Sequence, residues 1–164
     1  MMNVLKRNRI PLLPFLFSLM IVFSGTGCGR KDITELYHRF PGKSWERNNL
    51  LSFEIPVKDS DSYNISLFAR FTPDFQFETL DFNMIMNTPA GEERINEYQM
   101  QVKSKSGSYI IECGKDSCRG IILLKKELNI AKPGILKIEI ENLTPRLTTE
   151  GLLGVGIRME RSAK

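Results

Sequence analysis

The chain has 164 residues, 41% hydrophobic and 26% charged, with a formal net charge of +4 at pH 7. Its three basic residues before position 28 belong to an acid-free leader, and residues 28–164 hold 20 Lys and Arg against 19 Asp and Glu. A balance so close to neutral does not indicate the clustered basic face of a nucleic-acid-binding protein, so we predict no nucleic-acid partner. The length fits one domain with enough apolar residues to bury a core.

Residues 1–27 have the order of a secretory signal peptide. Lys6, Arg7 and Arg9 precede an apolar run over residues 10–23, and the small residues 24–27 follow. The run is shorter than the roughly 20 residues that a membrane span needs. We therefore predict an export signal over 1–27 that is not part of the fold.

Cys28 directly follows the small residues, as in the bacterial lipobox. There the thiol takes a diacylglycerol and the new N-terminus is acylated, with fatty acids such as palmitate. The usual aliphatic residue three positions earlier is Gly25 here, so the alternative is ordinary cleavage near Gly27 with a free Cys28. Since one acyl chain binds a membrane only marginally, two or three would make a durable anchor. We predict lipidation of Cys28 and attachment to a membrane.

Residues 28–48 are predicted to be a tether, with a chain break at Phe40-Pro41-Gly42. His38, the only histidine, is expected to be an exposed residue of this tether. Trp45, the only tryptophan, leads into the first strand and is expected to close one edge of the core, with ligand stacking as the alternative.

From Leu50 onward, apolar residues recur at every second position, which is typical of strands with one buried face. The predicted strands lie around 51–57, 63–71, 80–87, 95–102, 109–113, 120–124, 136–140 and 152–160. Residues 125–130 are expected to be irregular or helical, and residues 143–150 to be a loop. In the last strand, Leu153, Val155, Ile157 and Met159 are predicted to share one face.

About eight such strands predict an all-β protein with one domain over residues 49–164. Because each sheet has a single apolar face, two faces must meet in an antiparallel β-sandwich, jelly-roll or immunoglobulin-like in strand order. A closed barrel is the alternative.

Cys113 and Cys118 flank a turn-forming tetrapeptide. An exported protein meets oxidising conditions, so a structural disulfide is favoured over two free thiols. The spacing is not C-x-x-C, and no second cysteine pair or histidine cluster completes a metal site. We predict no metal and no cofactor.

The sequence contains few groups that could form a catalytic site. A nucleophile and base arrangement would need His38 to fold back over the sheet, and the acids lie at predicted turns. A calcium ion at Asp59 and Asp61 is a minor alternative. Gly151, Gly154 and Gly156 are not expected to form a phosphate loop, since no helix follows them and they lack the G-x-G-x-x-G spacing. Glycines within a strand mark a bulge or a close backbone approach. We predict that the protein is not an enzyme.

The stretch from Trp45 through Leu51-Ser-Phe53-Glu-Ile55-Pro-Val57-Lys-Asp59 to Tyr63-Asn-Ile65 and Arg70 resembles the start of the gliding motility lipoprotein H (GldH) family of Bacteroidota. Pro89-Ala90-Gly91 and residues 151–157 resemble its middle and final strand. The segment 107–124 departs from the family pattern, which indicates a divergent member.

The resemblance implies a non-enzymatic cell-envelope lipoprotein whose partners are envelope proteins of the gliding machinery and its linked secretion system. Gly29, rather than aspartate, follows the lipidation site and favours the outer membrane. The alternative function is a lipid-anchored glycan-binding or ligand-binding module. It predicts an exposed row of aromatic residues, Trp45, Tyr63, Phe75 and Phe77.

Overall fold

The computed structural model describes residues 33–162, and Cys28 and the leader lie outside them. The described chain is all-β, as predicted, and has eleven strands rather than about eight. The strands are β1 (Ile33–Arg39), β2 (Ser44–Glu46), β3 (Leu51–Val57), β4 (Asp61–Phe71), β5 (Thr79–Asn87), β6 (Glu93–Gln101), β7 (Glu112–Cys113), β8 (Cys118–Ile130), β9 (Gly134–Asn142), β10 (Thr148–Glu150) and β11 (Leu152–Arg161).

Two antiparallel sheets form the predicted sandwich. One has the order β1-β11-β4-β8-β7 and the other the order β3-β9-β5-β6, while β2 and β10 pair separately. At the edges of the sandwich β1 contacts β3 and β6 contacts β8. Within residues 33–162 the strands form separate open sheets, so the alternative of a closed barrel is wrong.

The core forms where the two apolar faces meet. In β3 and β9 every second side chain is buried, which is the alternation that the sequence predicts. Trp45 is completely buried among these residues, and its indole Nε1 donates a 2.7 Å hydrogen bond to the carbonyl of Asn49. Its expected role in closing the core is therefore confirmed.

The antiparallel registers give the sandwich two distinct ends. The near end contains Ile33 at the start of β1, the turns 58–60, 88–92 and 131–133, and the last residues of β11. The far end contains the turns 40–43, 72–78, 114–117 and 143–151. The chain therefore enters the domain at the near end.

The prediction of a tether over 28–48 is wrong for residues 33–46. Residues 33–39 form β1, which pairs with β11 along its whole length, and residues 44–46 form β2, which pairs with β10. Leu36 packs against the core, but the other residues of β1 are polar, aromatic or exposed. Because β1 is an edge strand, its sequence lacks the apolar alternation that reveals the inner strands.

Two further segments differ from their sequence expectations. Residues 125–130, expected to be irregular or helical, continue β8 through two bulges opposite β4. Glu127 takes a positive φ of 50°, and its amide donates to the side-chain oxygen of Asn64. Bulges shift the two-residue period, which explains why the pattern fails there.

The expected loop over 143–150 contains the short strand β10. It is held by the buried Asn142, whose amide group donates to Thr149 Oγ1 at 2.9 Å and accepts from the amide of Thr144 at 3.0 Å. A buried polar side chain needs such partners, so Asn142 joins β9 to the β2–β10 pair.

A bulge and two glycines shape β11. The register shifts between Leu152 and Gly154, so that Leu152, rather than the predicted Leu153, is buried with Val155, Ile157 and Met159. A Cβ at Gly156 would lie 2.3 Å from Phe68 Cζ, and one at Gly154 would lie 2.3 Å from the Tyr37 hydroxyl. The prediction of a close approach at these glycines is confirmed.

We expect Gly156→Val to lower the free energy of unfolding by about 2 kcal/mol or more, because the new side chain displaces Phe68 and β1. Urea denaturation followed by the fluorescence of the buried Trp45 would measure it. Gly114→Ala is the matched control, since the nearest atom to its Cβ is 3.7 Å away. Equal stabilities of the two variants would contradict the close approach.

Candidate functional site

The outer surface of the five-stranded sheet carries aromatic, aliphatic and arginine side chains on neighbouring strands. Registered neighbours across the sheet are Tyr37 on β1, Gly156 on β11, Phe68 on β4 and Ile121 on β8. We call this surface the arginine–aromatic face, and it consists of Arg39, Arg70, Arg119, Arg158, Tyr37, Phe68, Ile121 and Leu123.

The two rings of this face lie against the glycines of β11. The centroids of Tyr37 and Phe68 are 5.8 Å apart and the rings are within 11° of parallel. The Arg119 guanidinium, on the same outer face of the sheet, lies over the Phe68 ring at 4.8 Å from its centroid. Phe68 is therefore only 6% exposed, although its side chain points away from the core. The ring packing ties β1 to the rest of the sheet.

Charges surround the rings. Glu35 lies between two arginines, 3.7 Å from Arg119 and 3.5 Å from Arg158. Burial raises the pKa of the Tyr37 hydroxyl, and the nearby Arg70 and Arg39 oppose that rise. The hydroxyl therefore stays protonated at neutral pH and can donate a hydrogen bond. A shallow cavity of about 260 Å³ lies among these groups.

The aliphatic part of the face is more open to solvent. Ile121 is 56% exposed and Leu123 is 50% exposed. They belong to the run Ile121-Ile122-Leu123-Leu124, in which both faces of β8 are apolar. Such a run on a strand with only one buried face indicates a contact surface, and this signal was present in the sequence.

A second concave region lies at the far end. This groove has a volume of about 430 Å³ and is lined by Lys43, Asp74, Phe77, Arg146 and Glu150, among others. A hydrogen bond from the Thr72 side chain lowers the pKa of Asp74, so its carboxylate stays charged. The Arg146 guanidinium lies 5.4 Å from the Phe77 ring centroid and partly covers it. With two cations and two carboxylates, the groove has no dominant charge.

The prediction of an exposed row of aromatic residues, made for the glycan-binding alternative, is wrong. Trp45, Tyr63 and Phe75 are buried in the core, and only Phe77 is partly exposed. The three buried residues are held by packing in the core, so these four residues form no row of exposed rings.

The other chemical candidates lie apart from one another. His38 is on β1, exposed, with its ring 5.1 Å from that of Phe40. Asp59 and Asp61 are engaged by Arg161, at 2.5 Å and 3.2 Å, which disfavours a calcium ion there. Among residues 33–162, no group of three or more His, Cys, Asp and Glu side chains could hold a metal ion.

Cys113 and Cys118 are joined by a disulfide in the structure. The bond closes the turn between β7 and β8 at the far end, next to the Glu112–Arg119 pair of the register. It therefore fixes the end of β8 that carries Arg119 into the arginine–aromatic face.

The described residues include no helix long and apolar enough to cross a lipid bilayer.

We expect Phe68→Ala to lower the free energy of unfolding by about 2 kcal/mol, because the covered ring loses its burial. Ile121→Ser and Leu123→Ser should each change it by less than about 0.5 kcal/mol, as exposed positions do. Thermal or urea denaturation would measure all three. A large loss in the two serine variants would show that these side chains serve the fold and not a contact.

A family model described as GldH lipoprotein matches residues 32–159 of the chain. No curated protein matches the sequence. Among solved structures, the crystal structure of dimeric latent PorU from Porphyromonas gingivalis matches with a TM-score of 0.37 and 10% identity. The match covers 80% of this chain but only 13% of the PorU chain, and a likeness at that level bears on neither fold nor function.

Proposed function

Because the chain belongs to the GldH lipoprotein family, we propose that it is a non-enzymatic, lipid-anchored part of the cell envelope. In this proposal it serves the gliding machinery and the linked secretion system by holding protein partners at the outer membrane. The family membership supports the association with gliding and the lipoprotein character. The signal-like leader and Cys28 support export and the anchor.

The observation that carries the proposal is the start of β1 at Ile33. Only residues 29–32 separate it from Cys28, and a fully extended backbone of that length spans at most about 18 Å. A lipid on Cys28 therefore holds the near end of the sandwich close to the bilayer surface. The groove at the far end then faces away from the membrane. The outer faces of the two sheets point sideways, parallel to the bilayer surface.

A non-enzymatic role fits the chemistry of the described residues. Their acids and single histidine are spread over several turns and strands, whereas acid–base and nucleophilic catalysis need such groups within hydrogen-bond reach. The exposed residues that do cluster, on the arginine–aromatic face, are those enriched at protein–protein contacts. The disulfide of Cys113 and Cys118 belongs to the same proposal, since it forms in an oxidising compartment.

We expect labelled fatty acid to join the full-length protein and to be lost in Cys28→Ser, which should leave the membrane fraction. The mass of the N-terminal peptide should show cleavage before Cys28 and acylation. The double variant Cys113→Ser with Cys118→Ser is the control, because it removes the other thiols and should keep the label. A labelled Cys28→Ser protein would contradict the anchor.

In a gliding host, we expect deletion of the gene to reduce colony spreading and secretion, and the wild-type gene to restore both. Cys28→Ser should fail to restore them at equal protein level, because the domain is no longer held at the membrane. Spreading assays and secreted-protein profiles would measure this. Normal spreading and secretion in the deletion strain would overturn the proposed role.

A further inference from the structure

The two outer faces of the sandwich differ in charge. The outer face of the four-stranded sheet, which we call the acidic face, carries six carboxylates, one ammonium group and three isoleucines. Its members are Glu54, Asp81, Glu93, Glu97, Glu139, Glu141, Lys137, Ile85, Ile95 and Ile135. The arginine–aromatic face has four guanidinium groups against Glu35, Glu112 and Glu160. The groups named have formal charges of −5 on the acidic face (six carboxylates, one ammonium) and +1 on the arginine–aromatic face (four guanidinium groups, three carboxylates), so the two sides of the chain differ in sign.

Exposed aliphatic residues accompany these charges on both faces. Ile85 and Ile95 are direct neighbours across β5 and β6, and Ile95 is 60% exposed. On the other face, Ile121 and Leu123 lie on β8. Because β6 contacts β8 at one edge of the sandwich, both aliphatic groups lie toward the same side of the molecule. Met100 of β6 lies against Gly120 of β8, and Asn96 bonds Lys125, so Gln99 is level with Ile121 along the strands. Ile95 lies four residues, or about 13 Å, nearer the near end. A shift along the sheet normal therefore brings Gln99 of one copy toward Ile121 of the next.

We propose that the arginine–aromatic face binds the acidic face of a second copy of this chain, so that copies stack side by side on the membrane. Such a contact is heterologous, joining two different surfaces, and repeats from copy to copy instead of closing into a dimer. A translation along the sheet normal leaves every near end on the same side. All copies in the stack can therefore be anchored to one bilayer.

The size of the faces sets the strength of the contact. Four strands spaced at about 4.8 Å and about six residues long cover roughly 400 Å² on each copy. The total of about 800 Å² is below that of stable complexes in solution, which bury roughly 1,200 Å² or more. Stacking therefore depends on confinement to the membrane, and in this respect it rests on the anchor proposed above. The attraction between opposite charges on the two faces selects the register of the contact. Added salt weakens this attraction.

Site-directed crosslinking in intact cells tests the proposal. Two differently tagged full-length copies carry Ile121→Cys and Gln99→Cys, and a short bismaleimide joins cysteines that lie close together. We expect a mixed-tag dimer when one copy has Ile121→Cys and the other Gln99→Cys, and at least tenfold less when both carry Ile121→Cys. Leu147→Cys is the matched control, since Leu147 is 79% exposed but lies on a far-end loop outside both faces.

Charge variants test the complementarity. Adding Arg70→Glu and Arg119→Glu to the Ile121→Cys copy should reduce the mixed-tag dimer at least fivefold. Arg47→Glu with Lys132→Glu, at two exposed positions outside both faces, should leave it unchanged. Asp81→Lys and Glu97→Lys on the Gln99→Cys copy should restore crosslinking to the Arg70→Glu, Arg119→Glu copy, because these acids lie on β5 and β6 beside Gln99.

Three results would overturn the stacking. They are no dimer between Ile121→Cys and Gln99→Cys, a dominant dimer between two Ile121→Cys copies, and crosslinks from Ile121→Cys to other proteins alone. The mass of the N-terminal peptide, measured on the same samples, separates the two proposals. Missing crosslinks on acylated protein refute stacking only, whereas missing acylation refutes the anchor.

Discussion

The pairing of β1 with β11 is the interaction on which the rest of the structure depends. It is possible only because Gly154 and Gly156 leave space where the rings of Tyr37 and Phe68 lie against the strand. With β1 in place, the first described residue of the chain is part of the sheet. The sandwich then has a fixed near end, a far end and an outer face completed by Tyr37. Without β1, the same domain would hang on a tether of about twenty residues with no preferred orientation.

The two surfaces of each strand serve different purposes. The inward side chains of β3, β5, β9 and β11 form a continuous apolar layer, and their burial is the main source of stability. The outward side chains contribute little to that layer, so their identities are free to serve contacts. Phe68 lies between these cases, because it points outward yet is covered by Tyr37 and Arg119. Ile121 and Leu123 remain uncovered, which leaves them available for the contact proposed above.

The sequence predicts the inner strands well because their environment is regular. Wherever one face of a strand is buried along its whole length, as in β3 and β9, the two-residue period reveals it. The period fails where the structure is irregular, at the bulges of β8 near residues 124–127 and at the shift between Leu152 and Gly154. It also fails for β1, whose only clear core residue is Leu36, and for β2 and β10, which have three residues each.

The candidate surfaces were harder to predict than the fold. The resemblance carried by Trp45, residues 51–59 and residues 151–157 led to the correct family, and the glycines of β11 indicated a close approach. No pattern along the chain shows, however, that Arg39, Arg70 and Arg119 lie in one row, because they come from three strands that are distant in sequence. Their grouping follows from the strand order, which single-strand periodicity does not specify.

Hydrogen–deuterium exchange of the full-length, membrane-attached protein tests most directly whether residues 33–39 are part of the sheet. We expect every second amide of residues 33–39, which is hydrogen-bonded to β11, to exchange orders of magnitude more slowly than in an unstructured chain. Exchange of all these amides at the unstructured rate, while β4 and β11 stay protected, would show a tether in place of β1. That result would also remove the fixed orientation of the sandwich relative to its anchor.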